Sequence, residues 1–441
     1  MRNNGDTIAA LATSSGEGGI AIIRISGKDA LSILKKAFVP SSPKHAFEHR
    51  YMMYGNAVSE NGTVLDEVMA VYFASPSTYT REDVCEIHTH GGIVSGNVLE
   101  RVIALGARPA ERGEFTYRAF VNGRIGLSSA EAVMNLISSK SDRAARASVR
   151  QLKGGVSSRI GMCREKLMDL VSLIDAAADY PEEIDEEVTA SSVRKGAEEI
   201  HGYLISCADE RYARILNKGA CAVIAGVPNV GKSSVMNALL CSDRSIVTDI
   251  PGTTRDTVSE SITINGMNIT LTDTAGIRET GDIIEKIGVD RAESSIEQAD
   301  CVILVLDASR PVSQREQALI DKMDGRYIPV ANKTDIRDED FGFCLKVSAK
   351  EGKGIRELQD RIYAMVSPGE DDDKLMTLRH VECAKKAADC LKRVLEAPEG
   401  TYLDLFREDL TEALMHLGEI TGENIGENVI DSIFERFCVG K

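Results

Sequence analysis

One segment of the chain has the residue types and spacing of a phosphate-binding loop. Gly226-Val-Pro-Asn-Val-Gly231-Lys232-Ser233 fits the pattern G-x-x-x-x-G-K-S. In such a loop backbone amides surround phosphate oxygens, the lysine neutralises the β- and γ-phosphates, and the serine hydroxyl binds Mg²⁺. The alternative is a glycine-rich turn that binds nothing. The apolar run before the loop and the helical spacing over 235–240 favour the phosphate site.

Three later motifs would complete a guanine nucleotide site. Asp273-Thr-Ala-Gly276 follows an apolar strand pattern, so its aspartate can hold the Mg²⁺ shell and its glycine amide can contact the γ-phosphate. Asn332-Lys333-Thr-Asp335 ends in a carboxylate that can accept from guanine N1–H and from the exocyclic amine, a donor pair that adenine lacks. Ser348-Ala-Lys350 adds a backbone donor for guanine O6. The order of these motifs predicts GTP as the nucleotide.

From about residue 218 to about residue 366 the chain resembles the translation-factor-like GTPases of the Era branch. Residues 245–256 stand where such proteins have their first switch, and Thr254 matches the threonine that completes the Mg²⁺ shell. Ile277 stands where many GTPases have the glutamine that orients the attacking water, so another group must do this. The residues predicted to contact GTP are Asn229, Val230, Gly231, Lys232, Ser233, Ser234, Thr248, Asp249, Ile250, Pro251, Gly252, Thr253, Thr254, Asp273, Thr274, Ala275, Gly276, Asn332, Lys333, Thr334, Asp335, Ser348, Ala349 and Lys350.

Segments along the whole chain resemble the MnmE/TrmE family of bacterial tRNA modification GTPases. The chain ends Ile433-Phe-Glu-Arg-Phe-Cys-Val-Gly-Lys441, and its GTPase motifs are nested between helical patterns. The other segments that carry the resemblance are 19–27, Glu86, 90–92, 113–115, 118–120 and 419–423. The resemblance implies a GTP hydrolase that acts in tRNA modification.

The resemblance also implies a potassium ion in the GTPase site. Asn229 matches a ligand of this ion in the phosphate loop, and oxygens of Thr248, Ile250 and Thr253 match its other ligands. The ion would supply the positive charge that an arginine finger supplies elsewhere. Glu285 matches a glutamate that positions the attacking water through a second water, although its residue type alone also fits an exposed helix position. GTPase domains of the family pair across their nucleotide faces during hydrolysis.

The N-terminal part resembles the folate-binding fold of aminomethyltransferases. This implies a constitutive homodimer and a bound 5,10-methylene- or formyl-tetrahydrofolate. Arg24 and Glu86 match folate-contacting positions, and Arg124 and Lys441 are the further candidates. A carboxylate suits the paired N–H donors of a pterin, and a cation suits the glutamate tail. The alternative for Arg24 and Glu86 is a salt-bridged pair of strand residues.

Several residues near this predicted folate site depart from the family pattern. Arg124 and Gly126 stand where lysine and aspartate are usual, Tyr117 replaces a usual lysine, and Arg112 replaces a usual proline. Because Arg124 keeps the positive charge, we expect folate binding with altered geometry.

Cys438 is a candidate catalytic thiol near the end of the chain. The resemblance places it in the central cavity near the folate site, and the alternative is a small apolar residue after Phe437. The predicted catalytic residues are therefore Glu285, Lys232 and Cys438.

Residues 140–166 form the most basic stretch of the chain, with eight Lys and Arg against two acidic residues. Such a local excess can bind the phosphates of tRNA. The alternative is an amphipathic helix whose basic face is simply solvated.

Composition excludes several other classes of protein. The 441 residues are 43% apolar and 27% charged, which is ordinary for a chain with more than one globular domain. A net charge of −16 argues against bulk electrostatic binding of nucleic acid, so RNA contact must be local. The ten cysteines form no C-x-x-C pair, and we find neither a long apolar run nor a signal-like N-terminus. We therefore expect a cytoplasmic protein without membrane contact.

Hydrophobic patterning predicts the domains in which these sites lie. Short β-like runs at 19–25, 64–73 and 83–88 predict an α+β folate-binding and dimerisation domain over 1–122. Continuous apolar runs at 220–225 and 301–307 suit buried parallel strands. They predict an inserted α/β P-loop domain of the Ras-like GTPase type over 217–371, and the acidic stretch 369–373 is expected to be a linker.

Apolar positions at helical spacing flank that predicted insertion on both sides. They occur at 127–137, 167–177, 403–417 and 430–437, and Pro181 is expected to end the second of these helices. The flanking segments, 123–216 and 372–441, therefore predict one discontinuous α-helical domain.

The residues and the resemblance together predict a K⁺- and Mg²⁺-dependent GTPase of tRNA wobble-uridine modification. With an FAD-containing partner of the MnmG/GidA type, in a heterotetramer, it would place an aminomethyl or carboxymethylaminomethyl group on C5 of U34. The carbon would come from folate and the nitrogen from ammonium or glycine, while GTP hydrolysis would open and close the GTPase domains. Two alternatives stay open: a ribosome-assembly GTPase whose only output is binding, and a stand-alone folate-dependent aminomethyltransferase with a regulatory GTPase.

Overall fold

The computed structural model describes residues 5–14, 16–242, 259–273, 296, 299–322, 325–337, 342–367, 373–423 and 425–440. The chain divides into two compact units. The first contains Met1–Met134, Gln151–Glu198 and Asp389–Lys441, and the second contains Asn135–Arg150 and Glu199–Ala388. The predicted domain division at residues 122, 216 and 371 stays a prediction.

A seven-stranded sheet lies in the N-terminal part of the first unit. Its strands are β1 Ile8–Leu11, β2 Ala21–Ser26, β3 Phe38–Pro40, β4 Met52–Val58, β5 Val64–Phe73, β6 Val84–Thr89 and β7 Arg108–Pro109. Their order is β3-β4-β5-β6-β2-β1-β7, and all neighbours are antiparallel except β1 and β7. Strands β2, β5 and β6 confirm the three predicted β-like runs.

One face of this sheet is buried beneath two helices, α1 (Ala30–Ala37) and α2 (Ile93–Ala104). Ile23, Ile25 and Ile87 belong to the apolar cluster formed there. Because side chains alternate along a strand, the residues between them, Arg24 and Glu86, face the opposite side of the sheet. Because one face of the sheet is buried, only the strand residues on the opposite face can contact a ligand.

Helices make up most of the remaining described part of the first unit and join it in sequence to the second. They are α3 Glu114–Val121, α4 Leu127–Ser138, α6 Gly155–Asp179, α7 Glu186–Cys207, α12 Leu378–Glu396, α13 Leu403–Thr421 and α14 Glu427–Phe434, whereas α5 Asp142–Leu152 lies mostly and α8 Glu210–Lys218 wholly in the second unit. Helices α6 and α13 pack together. The helical patterns at 127–137, 167–177 and 403–417 are confirmed, and α6 ends just before Pro181 as expected.

One helix prediction is wrong at its end, and the single helix weighed as the alternative for the basic stretch is absent. Helix α14 ends at Phe434 rather than at 437, and the Phe437 ring stacks on the Phe434 ring with centroids 5.3 Å apart. The basic stretch 140–166 is not one amphipathic helix, because Gly154 adopts a φ of 85° between α5 and α6. That left-handed conformation ends one helix before the next begins.

The second unit is built on a mostly parallel sheet. Its strands are β8 Ala220–Ala225, β9 Ser259–Ile264, β10 Met267–Asp273, β11 Cys301–Asp307, β12 Tyr327–Asn332 and β13 Leu345–Lys346, and its further described helices are α9 Lys232–Ser242, α10 Gln314–Lys322 and α11 Ile355–Val366. The strand order is β13-β12-β11-β8-β10-β9, and only β9 runs antiparallel to its neighbour. Every residue of β11 is buried, as its apolar run predicts. The predicted combination of an α+β sheet, helices and an α/β sheet is confirmed.

The carboxyl ends of β8, β10, β11 and β12 share one edge of this parallel sheet. Ligands of open α/β sheets bind at that edge. The predicted phosphate and guanine motifs follow β8, β10 and β12, so the topology brings them together. None of the described helices combines the length and the apolar character needed to cross a bilayer.

Candidate active site

The predicted phosphate loop joins β8 to α9 and turns through two glycines of positive φ. These are Gly226, at 148°, and Gly231, at 93°. A Cβ on Gly226 would lie 2.5 Å from the Val305 carbonyl oxygen, and one on Gly231 would lie 2.4 Å from Asn332 Nδ2. Both positions need glycine for conformation and for space.

Lys232 begins α9 and reaches back across this loop. Its Nζ donates to the Gly226 carbonyl at 2.9 Å and to the Val227 carbonyl at 3.1 Å, and the residue is 7% exposed. Burial lowers the pKa of Lys232, and the nearby Asp273 carboxylate opposes that shift. Neutral carbonyls therefore hold the ammonium in the loop, and its positive charge can serve phosphate oxygens.

Ser233 and Asp273 form a polar pair beside the loop. Ser233 Oγ donates to Asp273 Oδ2 at 2.9 Å, and Asp273, the last residue of β10, is buried. A hydroxyl next to a carboxylate offers the hard oxygen donors that Mg²⁺ takes in nucleotide sites. The donor set fits the predicted ion.

Asn332 ties the predicted guanine motif to the phosphate loop. Its Nδ2 donates to the Val230 carbonyl at 3.0 Å, and its Oδ1 accepts from the Ala349 N–H at 3.1 Å. The residue is buried, at the end of β12. One side-chain amide thus fixes three chain segments that are distant in sequence relative to one another.

Lys333 and Asp335 complete this side of the site. Lys333 has a φ of 69°, and its Nζ donates to the Asn229 carbonyl at 2.8 Å. Asp335 Oδ1 accepts from Ser348 Oγ at 2.8 Å. A serine hydroxyl therefore orients the carboxylate that is predicted to bind the guanine edge.

Sequence reasoning missed Asp307, the last residue of β11. Its Oδ2 accepts from Lys333 Nζ at 2.6 Å, and its Oδ1 accepts from the Ser309 hydroxyl at 2.6 Å. Burial raises the pKa of Asp307, but the hydrogen bonds from Lys333 and Ser309 outweigh it, so the pKa lies below its ordinary value. The available signal was an acidic residue ending an apolar strand, as Asp273 ends β10.

Several predicted site residues lie outside the described part of the chain. The structure therefore says nothing of the first switch, the predicted water-positioning glutamate, most of the potassium ligands or the last folate candidate. These residues are Thr248, Asp249, Ile250, Pro251, Gly252, Thr253, Thr254, Thr274, Ala275, Gly276, Glu285 and Lys441.

Arg24 on β2 and Glu86 on β6 are paired across the sheet of the first unit. Arg24 Nε donates to Glu86 Oε1 at 2.9 Å, and the two side chains are 19% and 17% exposed. His88 Nε2 lies 3.5 Å from Glu86 Oε2. The neighbouring His88 imidazole and Arg24 guanidinium hold the pKa of Glu86 below its ordinary value, although burial opposes them. The salt-bridged strand pair weighed as an alternative is present, and both partners stay partly exposed.

An aromatic ring that sequence reasoning missed, Tyr79, joins Arg24 to Arg124. The Arg24 guanidinium lies 5.8 Å from the centroids of the Tyr79 and Phe115 rings, and that of Arg124 lies 4.6 Å from Tyr79. Arg124 NH1 also donates to the Tyr79 carbonyl at 3.2 Å. The structure thus brings three predicted folate residues, Arg24, Glu86 and Arg124, into one cluster with Tyr79. In the sequence, Tyr79 is simply one residue of the loop between β5 and β6.

Arg118 and Glu114 come from two segments that carry the family resemblance, and both are buried. Arg118 NH2 donates to Asp6 Oδ1 at 2.6 Å and to Glu114 Oε1 at 3.2 Å. Arg108 NH2 donates to the same Glu114 oxygen at 2.6 Å. Buried charges persist when they are paired in this way, so these residues fix β1, β7 and α3 to one another.

Cys438 follows α14 in an exposed turn. Its carbonyl accepts from the Gly113 N–H at 3.4 Å, and Val439 forms a β-bridge with Arg112. Gly440 has a φ of 93°, and a Cβ there would lie 2.2 Å from the Leu11 carbonyl oxygen. The tail is therefore held closely against the N-terminal sheet.

The basic residues at 140–166 are divided between the two units. Arg143 donates to Ser367 Oγ at 2.9 Å within the second unit, and Arg164 pairs with Glu423 within the first. Part of the local positive charge therefore already has partners inside the chain.

Comparison with known proteins covers nearly the whole chain. A family model described as "MnmE helical domain" matches residues 127–438, and one described as "GTP-binding protein TrmE N-terminus" matches residues 7–124. A relative from Acetivibrio thermocellus, named tRNA modification GTPase MnmE, is 42% identical over 99% of both chains. Relatives of the same name from Clostridioides difficile and Thermoanaerobacter sp. are 41% and 43% identical, again over 99% of both chains. The chain therefore belongs to the MnmE family.

Proposed function

We propose that this chain is a GTP hydrolase that acts in the modification of the tRNA wobble uridine. The proposal depends on one observation: the phosphate loop, the Ser233–Asp273 pair and the predicted guanine motif lie together at one edge of the sheet. This arrangement occurs in a chain whose relatives are named tRNA modification GTPases. GTP hydrolysis and action on tRNA follow from membership of that family together with this geometry.

The residues of the phosphate loop bind and orient GTP in this proposal. Lys232 leaves the loop carbonyls to contact β- and γ-phosphate oxygens, and Ser233 with Asp273 holds Mg²⁺, which neutralises charge developing on those oxygens. Asp335, oriented by Ser348, accepts two hydrogen bonds from guanine. Adenine has no matching donor pair, so the site selects GTP.

A potassium ion bound through Asn229 is the next part of the proposal. Asn229 adopts a φ of 67° within the phosphate loop, and its carbonyl is held by Lys333. A cation held there by side-chain and backbone oxygens, including those of Thr248, Ile250 and Thr253, would supply positive charge during hydrolysis. We propose that Glu285 positions the attacking water.

The potassium proposal is tested by measuring GTP turnover in KCl and in NaCl at equal ionic strength. We expect kcat in K⁺ to exceed that in Na⁺ by about tenfold or more, from the loss of one stabilising charge. Asn229→Ala should remove most of this difference, whereas Lys218→Ala, an exposed residue at the end of α8, should keep it. Equal turnover in both salts contradicts the proposal.

The one-carbon donor is proposed to bind at the cluster of Arg24, Glu86, Tyr79 and Arg124. The low pKa of Glu86 keeps its carboxylate ionised, as paired pterin N–H donors require. The two guanidinium groups on Tyr79 offer cations for the glutamate tail. The donor set therefore fits a tetrahydrofolate, which supplies the carbon when it is bound. Cys438 and Lys441 are proposed to act beside it.

The same face of the sheet suggests how two copies of the chain meet. Met52, Tyr54 and Met69 are 45%, 55% and 44% exposed, and Tyr54 and Met69 are paired across β4 and β5. A contiguous apolar surface of this kind marks a protein–protein contact. We propose that it belongs to the interface of a homodimer.

The reaction itself is proposed to need an FAD-containing partner of the MnmG/GidA type. Together, in a heterotetramer in the cytoplasm, the two proteins would place an aminomethyl or carboxymethylaminomethyl group on C5 of U34. The folate supplies the carbon, and ammonium or glycine supplies the nitrogen. GTP hydrolysis changes the separation of the GTPase domains and does not itself transfer the carbon.

Mass spectrometry of tRNA nucleosides from a strain that lacks this chain tests the proposal. Restoring the wild-type chain or Lys218→Ala should restore the modified wobble uridines, and Lys232→Ala should not. Unchanged wobble nucleosides in the strain without the chain would contradict the proposal and favour a ribosome-assembly role. Modification that persists without an FAD-containing partner would instead favour a stand-alone aminomethyltransferase.

A further inference from the structure

A thiol, an imidazole and a carboxylate converge between α12 and α13 in the first unit. Cys390 lies on α12, while Glu412 and His416 lie one turn apart on α13. One ligand atom from each residue lies within 4.8 Å of the other two, and among the described residues this is the one such group of three. None of these side chains takes part in the GTP or folate sites.

We propose that Cys390, Glu412 and His416 bind a zinc-type divalent cation, with water as a fourth ligand. Thiolate, imidazole and carboxylate are the ligands of Zn²⁺, and a spacing of four places Glu412 and His416 on one helix face. Cys390 is 2% exposed, so it forms the inner wall of the site, and the partly exposed Glu412 forms the outer one. The cation would cross-link α12 to α13.

The position of Glu419, which contacts the His416 ligand, is a second observation that supports the proposal. Its Oε1 lies 3.3 Å from His416 Nδ1, while His416 Nε2 lies 4.0 Å from Glu412 Oε1. A carboxylate on Nδ1 favours the proton at that nitrogen and leaves the lone pair on Nε2, the nitrogen that lies toward Glu412. Metal-binding histidines are oriented by just such carboxylates.

Arg393 occupies one oxygen of Glu412 and leaves the other on the metal side. Its NH2 pairs with Glu412 Oε2, and its Nε donates to Asp409 Oδ1 at 2.6 Å. Glu412 Oε1 faces His416 instead. Arg393 can therefore stay bound to Asp409 while Glu412 binds the cation through Oε1.

The distances require only a local adjustment. Tetrahedral bonds of about 2.3 Å to sulfur and about 2.0 Å to nitrogen or oxygen place ligand atoms about 3.3–3.6 Å apart. Ligand atoms that lie within 4.8 Å of one another must therefore approach by up to about 1.5 Å, which rotation of the partly exposed Glu412 and His416 side chains can supply. Burial raises the pKa of the Cys390 thiol to about 11. When the S–metal bond forms, the S–H bond breaks and its proton leaves to solvent.

Cobalt titration of the full chain, without nucleotide or Mg²⁺ and with a non-thiol reductant, tests the proposal. We expect one equivalent of Co²⁺ to give a thiolate-to-cobalt absorption band that Zn²⁺ removes. Cys390→Ser should abolish the band, and His416→Gln or Glu412→Gln should weaken cobalt binding by about tenfold or more. Glu419→Gln, which removes only the orienting charge, should weaken it by about tenfold.

Cys163→Ser is the matched control, because Cys163 is another buried helical cysteine of the first unit. It should keep the band and the affinity. A band that survives in Cys390→Ser, or no band in the wild-type chain, overturns the proposal. If Cys390→Ser loses helical circular dichroism, the test uses His416→Gln and Glu412→Gln instead, because these side chains are partly exposed. Cobalt affinity that is unchanged in both variants overturns the proposal.

Discussion

The candidate GTP site of the second unit and the Arg24 cluster of the first are built in different ways. In the second unit, short contiguous motifs follow parallel strands, and much of their geometry is backbone: Gly226 and Gly231 turn the loop, and carbonyls hold Lys232. In the first unit, Arg24, Glu86, Tyr79 and Arg124 come from two strands, a loop and a segment after α3, and side chains make most of the contacts. A backbone-built site appears as a motif in the sequence, whereas a site built from dispersed side chains does not.

The difference also predicts how each site responds to substitution. The Lys232 ammonium is held by backbone carbonyls of the phosphate loop, and no other side chain can take its place there. The dispersed cluster has two guanidinium groups on one ring, so the loss of one leaves the other in place. We therefore expect larger effects in the second unit.

The largest effect is expected for Lys232→Ala. Without the ammonium, the phosphate charge that develops in the transition state is not neutralised, and kcat/KM for GTP should fall by about 10²- to 10³-fold. Single-turnover kinetics with GTP measure this. Lys218→Ala should stay near the wild-type value, and a wild-type rate in Lys232→Ala would refute the phosphate-loop assignment.

Asp335→Asn should change which base is bound. Loss of charged hydrogen bonds to guanine is expected to raise KM for GTP by about 10- to 100-fold and to favour xanthosine triphosphate. Ser348→Ala, which removes only the hydroxyl that orients Asp335, should raise KM about fivefold without changing base preference. An unaltered preference for guanine in Asp335→Asn would show that another group selects the base.

Arg24→Gln tests the dispersed cluster. We expect about tenfold weaker tetrahydrofolate binding by calorimetry, from loss of one charged contact, with GTP turnover unchanged. Because Glu86 would lose its partner, the double variant with Glu86→Gln separates ligand binding from stability. Lys36→Gln, an exposed lysine on α1, is the control; equal affinity in Arg24→Gln and Lys36→Gln would remove Arg24 from the site.

The smallest effect is expected for Asp307→Asn. The substitution weakens the hydrogen bond from Lys333 to residue 307 by about 1 kcal/mol. KM for GTP should therefore rise about fivefold at unchanged kcat. Steady-state kinetics give this split, and Asp321→Asn, an exposed residue of α10, should leave both constants unchanged. A fall in kcat alone would mean that Asp307 acts on hydrolysis and not on the guanine motif.

Much of the fold could be predicted because burial leaves a local pattern. The run 301–307 is apolar throughout and becomes the fully buried strand β11, and the spacing at 403–417 becomes α13. The pattern failed at 430–437, because apolar spacing does not distinguish a continuing helix from a turn that stacks Phe437 on Phe434. The single helix weighed as an alternative for the basic stretch is likewise absent, because the left-handed conformation of Gly154 divides it.

The sequence by itself determined the phosphate-loop motif, the predicted guanine motif and the strands that carry them, since each depends on residues within a few positions of one another. The tertiary structure decided that Asp307 anchors Lys333, that Tyr79 joins Arg24 to Arg124, and that Cys390 meets His416. The physical reason is distance along the chain. Contacts between residues on different strands or helices depend on register and packing, and no local spacing records either one.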